Sequence, residues 1–180
     1  MNFVLIFLIL IVLWGVVAYN GLISSRARVD NAWAQIDVQL KRRFDLIPNL
    51  VNTVKGYAQH ERETLEKVTE ARTKYMSART PDEKMEANNQ LAGVLGRLFA
   101  VAESYPDLKA NASFLDLQSQ LKETEDKIGF SRQFYNDTAM KYNVAIAKVP
   151  TSIIASIFGF KGRSYFEAEG ESRERVEVKF

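Results

Sequence analysis

Residues 3–19 read FVLIFLILIVLWGVVAY, a run without a single charge. At about 1.5 Å of rise per residue it makes roughly 25 Å of apolar helix, near the short end of what crosses a bilayer, and Leu22 and Ile23 can lengthen it. Trp14 and Tyr19 lie toward one end, where amphipathic rings favour the headgroup region. No face of the run is polar, which argues against a core helix of a soluble domain. Val16-Val17-Ala18 has the small residues of a signal cleavage site, but no Lys or Arg precedes the apolar core and that core is long for a signal. A retained anchor is therefore the favoured reading, with a cleaved signal as its alternative. Beyond the run come Arg26 and Arg28, then Lys41, Arg42 and Arg43. Lys and Arg stay on the cytoplasmic side, so the expected orientation puts the N-terminus outside and the following domain in the cytoplasm.

The whole chain of 180 residues has room, after the anchor, for one domain with a real core. A net charge of +2 and the lack of a basic stripe interleaved with aromatics argue against nucleic acid. With no Cys and one His, disulfides, thiolate chemistry and a multi-histidine metal site are excluded within one chain. The partner expected from composition is the lipid bilayer, and no cofactor is expected.

The remaining pattern is helical throughout. Val29, Trp33, Ile36 and Leu40 line one face of a helix expected from Leu22 to Phe44. Asn20-Gly21 is a natural break from the membrane segment. Pro48 suggests a turn over Phe44–Pro48, with Asp45 as a cap; one long helix kinked at Pro48 is the alternative. A second helix is expected over 46–78, with its apolar stripe interrupted near Glu61. Thr80-Pro81-Asp82-Glu83 has the residues of a capping box with Pro at the first helical position. A third helix follows to Ser104, in which Gly93 and Gly96 suggest a close helix contact. Tyr105-Pro106 ends it. In the fourth helix Phe114, Leu121, Ile128, Tyr135, Tyr142 and Val149 recur every seven residues, as lengthwise helix packing requires. Pro150 stops it. The fold class expected is all-α: an N-terminal transmembrane helix and then an antiparallel four-helix bundle of long helices. The segments are 1–23 (anchor), 24–149 (bundle), 150–166 (an apolar segment near the membrane or capping the bundle) and 167–180 (a charged tail). In an up-down-up-down tracing the third segment returns to the bilayer. Ile153, Ile154, Ile157, Phe158, Phe160 and Lys161 are its candidate membrane-interface residues.

Candidate chemistry is thin. His60-Glu61 starts like a zinc-protease helix, but Thr64 stands where the second His belongs. Gly159–Ser164 lacks phosphate-loop spacing, and Asn111-Ala-Ser and Asn136-Asp-Thr match a glycosylation pattern common by chance. No nucleophile stands beside an evident base, so no enzyme is expected. Arg42, Arg43, Asp45, Asn49 and Lys55 gather around the expected first turn. They form either a capping and ion-pair cluster or a docking tip for a partner.

At this same stretch the residues resemble a known family. Arg42-Arg-Phe-Asp-Leu-Ile-Pro-Asn-Leu-Val51, Val54-Lys-Gly-Tyr57 and His60-Glu61 are similar to the signature of the bacterial LemA family. Ala32-Trp33 and Ile36 precede it. Glu103-Ser-Tyr-Pro-Asp-Leu-Lys-Ala-Asn111, Thr124-Glu-Asp-Lys-Ile128, Phe134-Tyr-Asn-Asp137, Asn143, Phe158-Gly-Phe160 and Tyr165-Phe166 continue it in order. The resemblance implies a single-pass protein of the bacterial inner membrane with a helical bundle, and brings no enzyme activity or cofactor. Its expected role is a scaffold or adaptor for envelope or membrane-protease-associated partners, with a homo-oligomer allowed. The alternative is a sensor binding a small ligand between helices, suggested by Trp33, Tyr57, Tyr75, Tyr135 and Tyr142.

Overall fold

The computed structural model describes residues 2–58 and 60–166. The charged tail expected over 167–180 lies outside the described residues. Among the described residues six helices follow one another: α1 (Asn2–Lys55), α2 (Arg62–Ser77), α3 (Pro81–Ala102), α4 (Pro106–Lys109), α5 (Ala112–Ala147) and α6 (Thr151–Ile157). No strand occurs among the described residues. The chain is thus all-helical with one long apolar N-terminal helix. It divides into two compact units, Trp33–Ser131 and a second made of Met1–Ala32 with Arg132–Phe180.

In the unit Trp33–Ser131 the core is built from stripes on four helical segments. Ile36, Leu40, Phe44, Ile47, Leu50 and Val54 line α1, Leu65, Val68 and Tyr75 line α2, Leu91, Leu95 and Leu98 line α3, and Phe114, Leu121 and Ile128 line α5; all are buried. The turn expected over Phe44–Pro48 does not form: α1 runs through Pro48 to Lys55. Proline inside a helix costs about 3 kcal/mol relative to alanine. Burial of Phe44, Ile47, Leu50 and Val54 on one continuous face recovers about 1.5–3 kcal/mol for each. Pro48 itself faces solvent, where water can serve the Phe44 carbonyl. The break comes instead at Gly56–Glu61, where the stripe was already interrupted. The expected second helix is therefore divided between α1 and α2. The α2–α3 connection forms as the sequence suggests: the Thr80 hydroxyl accepts from the Glu83 N–H (3.2 Å), and the Glu83 carboxylate accepts from the N–H groups of Arg79 (2.7 Å) and Thr80 (3.2 Å). Those donors hold the Glu83 carboxyl below its ordinary range. Gly93 and Gly96 mark no close contact, since a side chain at either would meet nothing within 4 Å.

In the unit of Met1–Ala32 and Arg132–Phe180, α1 passes through Asn20-Gly21 without a break. Its large side chains from Phe3 to Val17 are exposed, and no residue of its most apolar window is buried. An all-round apolar surface of this length has no partner in water. By length and composition this helix is a candidate membrane span. The core of the unit is Leu22, Val29 and Ala32 of α1, Tyr135, Ala139 and Tyr142 of α5, and Ala155 of α6. The seven-residue seam is buried up to Tyr142, while Val149, beyond the end of α5, is 83% exposed. Residues 160–166 run as an irregular segment whose backbone is bound by α5.

Candidate functional site

The five residues expected at a docking tip lie along the interior of α1 and do not converge. Arg43 points inward and is 4% exposed, whereas Arg42, Asp45, Asn49 and Lys55 face solvent. Arg43 Nη1 donates to Asn88 Oδ1 on α3 at 2.5 Å and is ion-paired with Glu125 on α5. Lys84 Nζ meets Asp37 Oδ1 at 2.5 Å. The Tyr75 ring stacks on Phe44, with centroids 4.0 Å apart and planes within 7°. Burial, and then the negative charges of Asp37 and Asp45, push the Tyr75 hydroxyl up to about 12. Arg43 is thus a clamp joining α1, α3 and α5 inside this unit. An arginine fork held this way is a structural element, because burial of a charge is tolerated only with such partners.

Two more pairs close the same unit. Asn111 Nδ2 donates to the Tyr57 hydroxyl (3.0 Å) while its Oδ1 caps α5 through the Phe114 N–H (3.0 Å). The Tyr105 hydroxyl donates to Glu61 (3.1 Å). His60 is exposed in the α1–α2 turn. Among the described residues no group of three His, Cys, Asp or Glu side chains is placed to hold a metal ion.

The surface of this unit carries two grooves that matter. One, of about 780 Å³, opens between Lys55, Arg62, Glu66 and Glu70, and the Arg62–Glu66 ion pair (2.8 Å) occupies its rim. The other, of about 330 Å³, is formed by Ala34, Gln35, Val38 and Gln39 of α1 with Ser131 of α5. Here Val38 is 63% exposed, and Phe130, next to Ser131, is 74% exposed. Gln39 is half-buried, and its inaccessible Oε1 atom has no hydrogen-bond donor among the described residues.

In the other unit the candidate interface residues are partly packed and partly bare. Ile153, Ile157 and Phe158 are 57%, 69% and 58% exposed. Ile154 reaches Gly15 of α1, its Cδ1 lying 3.8 Å from where a Cβ would stand. The rings of Phe158 and Phe160 lie 4.7 and 5.8 Å from that of Tyr19. Lys161 is exposed, and its carbonyl accepts from the Tyr142 hydroxyl (3.0 Å).

Sequence reasoning missed a pair of asparagines here. Asn143 donates to the Arg163 carbonyl and accepts from the Arg163 N–H, both at 2.8 Å. Asn136 does the same with Phe166, at 2.8 and 2.9 Å. The Tyr135 hydroxyl donates to the Ser164 carbonyl at 3.2 Å, and Arg163 reaches Asp30 at 2.7 Å. A signal existed. Asn136 and Asn143 are seven residues apart, each one step past the buried Tyr135 and Tyr142. Both Asn111 and Asn136, the matches to the glycosylation pattern, have their side-chain amides engaged inside the fold.

Of the aromatics that suggested a ligand site, Tyr57, Tyr75, Tyr135 and Tyr142 each hold another part of the same unit by stacking or hydrogen bonding.

Comparison with known proteins places these features in context. The model of the LemA family matches residues 32–180. Protein LemA of Metamycoplasma hominis is 29% identical over 160 residues, a match covering 88% of this chain and 72% of that protein. Magnetosome protein MamQ 2 of Paramagnetospirillum magneticum is 27% identical over 175 residues, covering 83% of this chain. Magnetosome protein MamQ of Magnetospirillum gryphiswaldense is 26% identical over 174 residues, covering 82% of this chain. Against both MamQ proteins the match spans 64% of their length.

Proposed function

This chain belongs to the LemA family, and from that premise together with its geometry we propose that it is a membrane-anchored scaffold: α1 holds it in the bacterial inner membrane, and a cytoplasmic helical domain recruits partner proteins. The observation that carries the reading is the groove of Val38, Gln39 and Ser131 beside Phe130. It combines exposed apolar side chains, Val38 and Phe130, with the polar side chains of Gln39 and Ser131. Arg43, expected among the docking residues, is assigned to holding the fold. Arg42, Asp45 and Asn49 share a solvated face of α1, and Lys55 is exposed at its end.

No catalysis is proposed. Arg43 with Glu125, and Lys84 with Asp37, are engaged in ties between helices. A small-ligand sensor is the weaker alternative, because the aromatics it needs serve the core and the clamps. The name MamQ connects those relatives with magnetosomes.

The test is site-specific photo-crosslinking in the native membrane. Crosslinkers at Val38 and Phe130 are expected to trap one discrete partner, and Gln39→Ala to weaken the adduct. Adducts at Asp45 and Asn49 with none at Val38 or Phe130 would overturn the assignment of the groove.

A further inference from the structure

We propose that the segment from Val149 to Lys161 is a second membrane element, a short amphipathic foot that enters the same leaflet in which the apolar part of α1 ends. The inference rests on reading residues 3–22 as a membrane span. A hydrocarbon core of roughly 30 Å takes about 20 helical residues, so a span starting at Phe3 ends near Leu22. Gly15 then lies roughly 10 Å inside that end, and Tyr19 roughly 5 Å inside it. Ile154 packs at Gly15, and Phe158 and Phe160 pack around Tyr19. The foot is therefore held at the depth where interfacial helices bury their apolar face, about 5–10 Å below the headgroups.

Its composition fits that depth. Val149, Ile153, Ile157 and Phe158 turn away from the protein and are 83%, 57%, 69% and 58% exposed. Basic residues stand at its ends: Lys148 before Pro150, and Lys161 after the helix. The Arg26 guanidinium lies 5.5 Å from the Phe160 ring, a cation over an aromatic at the level expected for phosphates.

Entry into an apolar medium also demands that backbone groups be paired. At both ends of α6 backbone N–H groups are paired in this way. At the start, Ser152 N–H donates to the Lys148 carbonyl (2.7 Å) and Ile153 N–H to that of Pro150 (3.1 Å). At the finish, Phe160 N–H donates to the Ala155 carbonyl (2.9 Å) and Gly159 N–H to that of Ser156 (3.4 Å), with Gly159 at φ +68°. That is the helix-ending motif in which a left-handed glycine lets two successive N–H groups turn back onto the last carbonyls. Beyond it the chain is gripped by Asn143 and Asn136 through main-chain atoms, so the foot is tethered to α5 at one side and to α1 at the other.

The test uses the full-length chain in nanodiscs of equal parts phosphatidylcholine and phosphatidylglycerol. The chain has no cysteine, so single nitroxide labels at Ile157→Cys, Ile153→Cys, Leu8→Cys and Ser119→Cys can be compared. Collision with oxygen against a nickel chelate reports depth. Ile157→Cys and Ile153→Cys are expected about 5–10 Å below the phosphates, Leu8→Cys deeper, and Ser119→Cys in water. Water-like collision at 153 and 157 with Leu8→Cys deep would overturn the foot alone. Water-like collision at all four would overturn the span and the foot with it. Protection from both reagents, with spin–spin broadening that disappears on dilution with unlabelled chain, would overturn the foot in favour of a contact with a second copy.

Discussion

Replacing Arg43 by methionine removes the cation that joins α1, α3 and α5 and leaves Asn88 and Glu125, among its partners, behind. Asn88 is 1% exposed, so its Oδ1 would lose the 2.5 Å bond with little water to replace it, at a cost of about 1–3 kcal/mol. Glu125 has a side chain 45% exposed, and water rehydrates it at a cost of about 0–1 kcal/mol. Arg43→Met is therefore expected to cost about 1–4 kcal/mol, roughly a 5-fold or greater fall in the ratio of folded to unfolded chain. Asn88→Leu alone leaves Arg43 without one acceptor of a charge-assisted bond and is expected to cost about 1.5–3 kcal/mol. The double variant removes both ends of the bond and fills the space with apolar atoms, so its cost should be within about 1 kcal/mol of wild type, well below the sum of the single costs. Urea unfolding of the full chain in detergent micelles, followed by circular dichroism, reads all four proteins. A double variant as unstable as the sum of the singles would refute the reasoning, since Arg43 and Asn88 would then act independently.

Pro48→Ala should raise the stability of the chain by up to about 3 kcal/mol, because it restores a donor for the Phe44 carbonyl; a lower melting temperature would contradict the reading that packing carries the helix past a costly proline. Tyr75 should ionise at about 12, seen as the phenolate absorbance missing from Tyr75→Phe; the fold favours its protonated form, so its contribution is intact below about 10 and is lost as pH rises toward 12, and ionisation near 10 would contradict its burial. Thr80→Ala should cost about 1 kcal/mol in the same urea assay, and no loss would mean that the α2–α3 connection does not depend on its cap. Gly159→Ala forces a side chain into φ +68°, so hydrogen exchange at the Phe160 amide should quicken about tenfold; unchanged exchange would show that the end of α6 does not rest on that turn.

What was legible in the sequence is what periodicity and caps determine locally. The charge-free run, the Thr80 capping box, the stop at Pro150 and the buried seam from Phe114 to Tyr142 all stand where the residues indicate. Pro48 misled because local propensity was weighed without the tertiary contacts of Phe44, Ile47 and Leu50, which carry the helix past it. The same mistake moved the polar cluster: with no turn at Phe44–Pro48, Arg43 turns inward and its neighbours outward. Gly93 and Gly96 read as a close contact, yet they lie on the solvent face of α3, where a glycine has no packing meaning.

The motifs that carried the family resemblance acquire a physical sense in the structure. Many are halves of pairs: Arg43 with Glu125, Tyr57 with Asn111, Glu61 with Tyr105, Asn136 with Phe166, Asn143 with Tyr165. Each joins stretches far apart in sequence, which is why single-chain reading found the residues and missed their partners. A signature composed of such pairs specifies a fold. The groove proposed for docking was invisible for a related reason: Val38 and Ser131 belong to α1 and α5, and an exposed valine on an amphipathic helix gives no signal of its own.

The central claim is that α1 keeps the domain at the membrane on its cytoplasmic side. Ser119 is exposed on α5 and the chain has no other thiol, so Ser119→Cys can be treated in whole cells with a membrane-impermeant maleimide before and after permeabilisation. Labelling only after permeabilisation, with all of the labelled chain in the membrane fraction, is the predicted result. Labelling in intact cells, or labelled chain in the soluble fraction, would contradict it.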